Sequence, residues 1–216
     1  GLGLSKGRSP TNTGQDRYPP FVGVSDLMTQ QAAQRQTVHT TRDHRSFHVR
    51  EARKEDAAAM LRYAEALFAE PGLSLLYSPG EFAKTLGEEE EFIESYRGPN
   101  ALILAAVSGE DVIGSLAFRA GAMARNRHAG TFGVAVAKDW RGVGVGSVLI
   151  ERMIAWAKDH PGIERIGMEV FETNPQALRL YRRFGFQEEG RRRAAVRLGD
   201  RRVDAIPMAL VFPQKG

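Results

Sequence analysis

The stretch that decides the fold of this 216-residue chain is Trp140-Arg141-Gly142-Val143-Gly144-Val145-Gly146-Ser147. It lies between a β-rich run and residues 144–158, whose apolar side chains recur at helical spacing. The three glycines let the backbone approach a ligand without obstruction by a Cβ atom. The amides of such a loop converge at the positive end of the following helix, where an anion is favoured. We therefore predict that this loop binds a phosphate or pyrophosphate group, with Arg141 adding a planar cation.

The loop matches neither of two common nucleotide-binding motifs. A Walker A loop ends in Gly-Lys-Ser/Thr, whereas this loop ends in Val145-Gly146-Ser147 without a lysine. The dinucleotide fingerprint requires a third glycine where Ser147 stands, and it opens a doubly wound domain instead of lying late in the chain. Both alternatives are excluded.

The rest of the chain has the patterns of a mixed fold. Apolar runs predict strands at 46–52, 101–107, 112–119, 130–137 and 163–171, and a final hairpin that turns at Leu198-Gly199-Asp200. Helical spacing predicts helices at 55–70, 78–96, 144–158 and 174–183, with Ser78 and Asn174 as N-caps. The order β-α-α-β-β-β-α-β-α-β-β predicts an α/β (α+β) fold, a mixed sheet flanked by helices and not a regular doubly wound one.

Two motifs resemble the signatures of one family, the GCN5-related N-acetyltransferases. The run Arg141-x-x-Gly144-x-Gly146 resembles the family's R/Q-x-x-G-x-G/A loop. A later segment resembles the pattern N-x-x-A-x-x-L-Y-x-x-x-G-F nearly letter for letter, with the matching residues Asn174, Ala177, Leu180, Tyr181, Gly185 and Phe186. The motifs are separated by one helix and one strand, and the resemblance covers about residues 47–212. It implies a mixed, mostly antiparallel central sheet flanked by helices.

The resemblance also implies acetyl-CoA as the acetyl donor. Loop amides would bind its pyrophosphate, and the preceding strand would splay from its neighbour to pair with the pantetheine arm. The Val134 amide would polarise the thioester carbonyl, and Tyr181 would protonate the departing thiolate as a general acid. These two are the implied catalytic residues. The implied cofactor-binding residues are Val134, Ala135, Val136, Arg141, Gly142, Val143, Gly144, Val145, Gly146, Ser147, Asn174, Ala177 and Tyr181.

Some of these roles have simpler alternatives, and the general base is missing. Asn174 can act as a helix N-cap as well as a partner of the pantetheine arm, and Tyr181 can be a packing ring beside the cofactor. Histone-type members of the family carry a glutamate base at the position that Gly130 occupies here. His128 and Glu169 are the nearby candidates for the base, and the sequence leaves the choice open.

The positive charge belongs to the N-terminal segment. The formal net charge is +4, and residues 1–50, with seven Lys/Arg and three Asp, account for all of it. The neutral remainder argues against nucleic acid as a partner. Residues 1–45 are polar, and we expect a flexible arm, part of it not native if Met28 is the native start, before an acetyltransferase domain at 46–216.

The composition excludes several kinds of site. The chain has no cysteine, so disulfides, thiolate metal sites and a cysteine nucleophile are excluded. Its five histidines show no metal-ligand spacing, and we expect no metal. No apolar run is long enough to span a membrane and no signal peptide is visible. We expect a cytoplasmic protein without a membrane partner, and the resemblance adds a possible homodimer.

Arginines are concentrated near the C-terminus. Those of the final hairpin, which form a solvated basic surface or recognise a carboxylate on the acceptor, are Arg191, Arg192, Arg193, Arg197, Arg201 and Arg202. Those of the last helix, candidates to meet the CoA 3′-phosphate, are Arg179, Arg182 and Arg183.

The C-terminal segment also resembles one branch of the family. The residues that resemble the branch acting on amino acids, small amines or protein N-termini are Glu189-Gly190, Val203-Asp204 and Met208-Ala209. The predicted function is an acetyl-CoA-dependent N-acetyltransferase that moves an acetyl group directly to a primary amine of an amino acid or similar small molecule. A protein N-terminal acetyltransferase and a non-catalytic acyl-CoA-binding module are the alternatives.

Overall fold

The computed structural model describes residues 37–72, 78 and 80–213. The strands in these residues are β1 Val38–Thr40, β2 Ser46–Glu51, β3 Ala101–Ser108, β4 Asp111–Ala120, β5 Ala129–Val136, β6 Arg165–Phe171, β7 Gln187–Glu188, β8 Arg192–Leu198 and β9 Arg201–Val211. The α-helices are α1 Ala57–Phe68, α2 Leu86–Glu94, α3 Val145–Asp159 and α4 Pro175–Arg183. Short 3-10 helices at Lys54–Asp56 and Lys138–Trp140 precede α1 and the glycine-rich loop.

The strands form one mixed sheet. Their order is β1-β2-β3-β4-β5-β6-β9-β7, and β8 also pairs with β9. Every pairing is antiparallel except that of β5 with β6, where α3 provides the crossover that parallel strands need. The predicted mixed, mostly antiparallel sheet flanked by helices is confirmed.

Helices cover both faces of the sheet. Leu149 and Met153 of α3 are fully buried in a cluster on one face, which α4 also joins, and Ile93 of α2 is buried with α1 in a second cluster on the other face. Because side chains alternate along a strand, Val134 of β5 packs against the first cluster and Ala135 against the second. We call these faces the α3/α4 face and the α1/α2 face. None of the described helices is long and apolar enough to cross a membrane.

The second helix is shorter than the sequence predicts. It begins after Thr85 because Thr85 and Glu88 form a capping box. The Glu88 amide donates to the Thr85 hydroxyl at 3.3 Å, and the Thr85 amide donates to the Glu88 carboxylate at 2.7 Å. The Ser78 amide bonds instead to the Glu81 carboxylate. Ser78 as N-cap of this helix is therefore wrong, whereas Asn174 caps α4 as predicted.

The sheet also includes residues before the predicted first strand. β1 pairs with β2 from Val38 opposite His48 to Thr40 opposite Ser46. The segment 37–45, predicted as part of an arm, is therefore a strand and a turn. Residues 1–36 of that predicted arm lie outside the described residues.

Gly130 is required by packing. A Cβ atom at this position would lie 2.3 Å from the ring of Phe118 and 2.7 Å from the carbonyl oxygen of Arg119. The Phe118 ring is fully buried and has little room to move away. This part of β5 therefore accepts no side chain toward the α3/α4 face.

Replacing Gly130 with alanine should therefore destabilise the protein. We expect Gly130→Ala to lower the free energy of unfolding by about 1–3 kcal/mol, the usual range for overpacking. Gly133→Ala on the same strand is the matched control, because a Cβ there meets nothing within 4 Å, and should change it by less than about 0.5 kcal/mol. Urea unfolding followed by circular dichroism measures both, and equal effects would contradict the packing argument.

Candidate active site

β5 and β6 diverge along their length. They pair only over Ala129–Thr131 and Arg165–Gly167. Beyond this point β5 remains paired with β4, and β6 remains paired with β9. A V-shaped opening, which we call the β5–β6 cleft, therefore begins after Thr131 and Gly167.

The backbone of β5 alternates between its neighbour and this cleft. The Ala137 amide donates to the Ile113 carbonyl at 2.9 Å, which fixes the alternation of the antiparallel ladder. Odd-numbered residues of β5 turn their backbone groups to β4, and even-numbered residues turn theirs away. Of the three predicted pantetheine-binding residues, Val134 and Val136 therefore direct backbone groups into the cleft, whereas Ala135 directs its own to β4.

The glycine-rich loop follows β5 at the end of the cleft. Gly142 and Gly144 have φ angles of +76° and +117°, a region that residues with side chains rarely adopt. A Cβ on either glycine would meet nothing within 4 Å. Conformation and not crowding therefore requires glycine here, and the loop is open to a ligand.

The first turn of α3 leaves amides for that ligand. The amides of Ser147 and Val148 donate to the Gly144 carbonyl at 3.0 and 3.2 Å. The amides of Val145 and Gly146 precede the first amide that donates within the helix, so they have no intrahelical partner. The Val145 side chain is fully buried and anchors this turn. Within the predicted anion site, the amides that remain available to a ligand are therefore those before Ser147.

Arg141 is paired with a carboxylate from another part of the chain. Its guanidinium donates two hydrogen bonds of 2.8 Å to the Glu70 carboxylate, and its Nε donates to the Val136 carbonyl at 2.8 Å. This bidentate pair links the end of α1 to the glycine-rich loop. The cation predicted at the loop edge is therefore paired with the Glu70 carboxylate.

Asn174 and Ala177 act within α4. The Asn174 side-chain oxygen accepts the Ala177 amide at 3.1 Å, which is the N-cap geometry. The side-chain amide nitrogen of Asn174 takes no part in this cap. Asn174 therefore has the simpler of its two predicted roles, that of helix N-cap. Its side-chain NH2 group remains a donor for a ligand.

Tyr181 lies at the wall of the cleft. It is 6% exposed and packs edge-on against Phe132 and Phe186, with ring centroids 5.9 and 5.8 Å away. Burial raises the pKa of Tyr181 well above its ordinary value. Within the described residues its hydroxyl makes no hydrogen bond to the protein. The ring is therefore a packing element, as one alternative predicts, and it holds a protonated hydroxyl in place.

The opposite side of the cleft carries a carboxylate. Glu169 of β6 points to the α1/α2 face, because its neighbours Met168 and Val170 are buried on the α3/α4 face. It is exposed and forms an ion pair with Arg192 of β8. On β5, Thr131 is likewise exposed on this face. Glu169 therefore lies on an uncovered part of the sheet, on the β6 side of the β5–β6 cleft.

The other candidate base lies elsewhere. His128 is exposed and precedes β5, and its carbonyl accepts the amides of Glu164 and Arg165. Six residues of extended strand, about 20 Å, separate it from Val134. The structure does not bring His128 to the cleft, and Gly130 cannot carry a base because Phe118 fills the space.

The C-terminal arginines divide into paired and exposed groups. Arg191 binds the carboxylates of Glu172 and Asp204, and Arg182 binds Glu188. Arg183 donates to the Ser147 hydroxyl at 2.9 Å, which brings a guanidinium to the first turn of α3. The remaining hairpin arginines, all exposed, are Arg193, Arg197, Arg201 and Arg202.

No metal site is present among the described residues. They contain no group of three or more histidine, aspartate or glutamate side chains placed to hold an ion.

Sequence reasoning missed the contacts that support the loop. Glu70 stands 71 residues before its partner Arg141. Arg42 and Arg45, in the turn between β1 and β2, also contact the segment around Trp140. Neither belongs to a motif, and only the alternation of residues 38–40 could have indicated a strand there.

Comparison with known proteins agrees with this geometry. Residues 69–186 match the model of the acetyltransferase (GNAT) family. The chain is 34% identical over 110 residues to L-amino acid N-acetyltransferase AaaT of Escherichia coli (strain K12), which covers 50% of this chain and 67% of that protein.

Solved structures share the fold. An acetyltransferase of the GNAT family from Streptococcus pneumoniae superposes with a TM-score of 0.74 at 24% identity, covering 77% of this chain and 99% of that one. The protein yncA from Salmonella typhimurium, solved with its cofactor acetyl-CoA, superposes with a TM-score of 0.69 at 18% identity, covering 79% and 96%. With the family model matching more than half of its length, the chain belongs to the acetyltransferase (GNAT) family and is an N-acetyltransferase.

Proposed function

We propose that this protein transfers the acetyl group of acetyl-CoA directly to the primary amine of an amino acid or similar small molecule. The observation that carries the proposal is the β5–β6 cleft, with backbone groups of Val134 directed into it and the glycine-rich loop at its end. The cofactor in the Salmonella typhimurium structure and the amino-acid substrate of the Escherichia coli relative support the choice of donor and acceptor.

The donor would complete the sheet on the open side of β5. A pantetheine arm is extended and carries amide groups, so it can pair with an unpaired strand edge. Its pyrophosphate would meet the loop amides from Gly142 to Gly146 at the positive end of α3. The guanidinium of Arg183, beside Ser147, would add charge near that end.

The chain's own groups then act on the thioester. The acceptor nitrogen attacks the carbonyl carbon, and the Val134 amide donates to the carbonyl oxygen as negative charge develops there. When the carbon–sulfur bond breaks, the leaving thiolate takes the proton of the Tyr181 hydroxyl. The nitrogen releases its second proton to water as the amide forms, and Tyr181 regains a proton from solvent. The Tyr181 hydroxyl carries its proton at neutral pH and can therefore donate it.

Glu169 is the base that we assign to the acceptor side. An ammonium group must lose a proton before its nitrogen can attack, and Glu169 is a carboxylate on the open α1/α2 face of the cleft. It would take the proton directly or through one water. Its partner Arg192 lies where a carboxylate of an amino acid could also be recognised.

Two other functions are testable alternatives. Acetylation of a protein N-terminus would use the same cleft with a peptide as acceptor. A non-catalytic acyl-CoA-binding module would use only the loop and β5. Tyr181 favours catalysis, because a binding module does not need a proton donor beside the cleft.

The first test is CoA release from acetyl-CoA, measured with a thiol reagent across free amino acids, polyamines, aminoglycosides and N-terminal peptides. The protein has no cysteine, so it contributes no thiol background. Turnover with amino acids is the expected result, and turnover with peptides alone would select the protein acetyltransferase. Acetyl-CoA binding without turnover on any acceptor would contradict a catalytic role on these amines.

Replacing Tyr181 with phenylalanine should separate catalysis from packing. We expect Tyr181→Phe to lower kcat at least about 100-fold, the usual contribution of a general acid, while the Kd of acetyl-CoA changes less than about twofold. The ring contacts with Phe132 and Phe186 remain, so the protein should stay folded. Steady-state kinetics and calorimetry measure the two quantities.

Tyr63→Phe is the matched control for that variant. Tyr63 is a second buried tyrosine, on the α1/α2 face, and its hydroxyl lies close to Ser115 of β4. Burial raises its pKa to about 12. This variant should keep wild-type turnover, and an equal loss in both variants would remove the assignment of Tyr181.

Replacing Glu169 with glutamine should slow the reaction mainly at low pH. We expect Glu169→Gln to lower kcat/KM about 100-fold at pH 7. The loss should shrink as the pH rises through the pKa of the acceptor amine, because the free amine needs no base. Arg192→Gln is a control that breaks the same ion pair but keeps the Glu169 carboxylate. His128→Gln tests the other candidate for the base. A pH profile of Glu169→Gln parallel to that of the wild type would contradict its role as base.

A further inference from the structure

The turn between β1 and β2 is rigid. The Thr41 amide donates to the Arg45 carbonyl at 2.8 Å, and the Arg45 amide donates to the buried Thr41 hydroxyl at 2.9 Å. The Asp43 carboxylate accepts from the Arg45 guanidinium at 2.9 and 2.6 Å and from the Thr41 hydroxyl. These bonds lower the pKa of Asp43 to about 2, so the arrangement is ionised and intact at neutral pH.

This turn is docked on the segment that forms the glycine-rich loop. Arg45 donates to the Asp139 carbonyl at 2.7 Å, and its guanidinium lies 3.9 Å above the centre of the Trp140 ring. The Arg42 amide donates to the Val143 carbonyl at 3.3 Å. The turn therefore holds the chain immediately before the loop and also the loop itself.

The side chain of Arg42 is available for a ligand. It is exposed and forms no ion pair among the described residues. The loop amides from Gly142 to Val145 lie within two residues of Val143, at most about 7 Å along the chain. Arg141, the loop's own arginine, is paired with Glu70. Its positive charge is therefore already neutralised and does not serve a phosphate.

We propose that the β1–β2 turn is part of the cofactor site, in which Arg45 positions the glycine-rich loop and Arg42 supplies a cation to the phosphate groups of acetyl-CoA. The inference rests on the proposed use of acetyl-CoA. Both arginines precede residues 69–186, the part that matches the family model. The family match therefore assigns no role to the turn.

Two acetyl donors, one with and one without the nucleotide phosphates, distinguish a phosphate contact from a general effect on folding. We would titrate the full chain with acetyl-CoA and with S-acetylpantetheine, which lacks the nucleotide phosphates, and follow binding by NMR. Arg42→Gln should weaken acetyl-CoA binding about three- to tenfold, as expected for one partly exposed charge pair, and should leave S-acetylpantetheine binding unchanged. The loss should fade as salt is raised, because exposed charges are screened.

Two further variants control for charge and for position. Arg42→Lys keeps the positive charge and should retain most of the wild-type affinity. Arg125→Gln removes an exposed arginine between β4 and β5, at the end of β5 opposite to the loop, and should bind acetyl-CoA as the wild type does. Melting temperatures within about 2 °C of wild type would show that each variant is folded.

The outcomes separate this inference from the function on which it rests. If Arg42→Gln binds acetyl-CoA with the affinity and the salt dependence of the wild type, the proposed role of Arg42 is overturned. An equal loss for acetyl-CoA and S-acetylpantetheine would also overturn it, since the effect would not lie with the phosphates. A wild-type chain that does not bind acetyl-CoA at all would overturn the proposed function, and with it the inference.

Discussion

The site depends on one interruption of backbone pairing, the loss of hydrogen bonding between β5 and β6 after Thr131 and Gly167. Half-buried backbone groups such as those of Val134 require a partner, so this edge is the unfinished part of a sheet. The opening is stable because each strand is held by its other neighbour, β5 by β4 and β6 by β9. An extended ligand can therefore take the place of a strand without rearrangement of the protein.

The glycine-rich loop needs support from outside itself. Positive φ angles at Gly142 and Gly144 suit a loop that presents amides, but glycine also leaves the unfolded chain the most freedom. The contacts that hold the loop in its folded conformation come from distant parts of the chain. Glu70 acts through Arg141, and the β1–β2 turn acts through Arg45. Preorganisation of this kind reduces the entropy that binding must overcome. The loop is thus supported on two sides before any anion arrives.

The sequence predicted the features that local signals encode. The hairpin of β3 and β4, the amphipathic α3 and the Asn174 cap of α4 depend on periodicity and turn chemistry within a few residues. The start of α2 was missed because Thr85 and Glu88 compete successfully with Ser78 for the cap. Contacts such as Glu70 with Arg141 join distant segments, and no local pattern indicates them. The sequence also showed that the histone-type glutamate is absent at Gly130, but only the packing of Phe118 explains why.

The packing at Gly130 also constrains the proposed chemistry. Since β5 has no room for a side chain at Gly130, the proposed base is Glu169 of β6, which lies on the α1/α2 face. Tyr181 approaches the cleft from the α3/α4 face, so the proton acceptor and the proton donor lie on opposite sides of the sheet. In a direct transfer the amine loses its proton on one face and the thiolate gains one on the other. Because Glu169 is paired with Arg192 of the final hairpin, the proposed mechanism would connect recognition of the acceptor to removal of its proton through that hairpin.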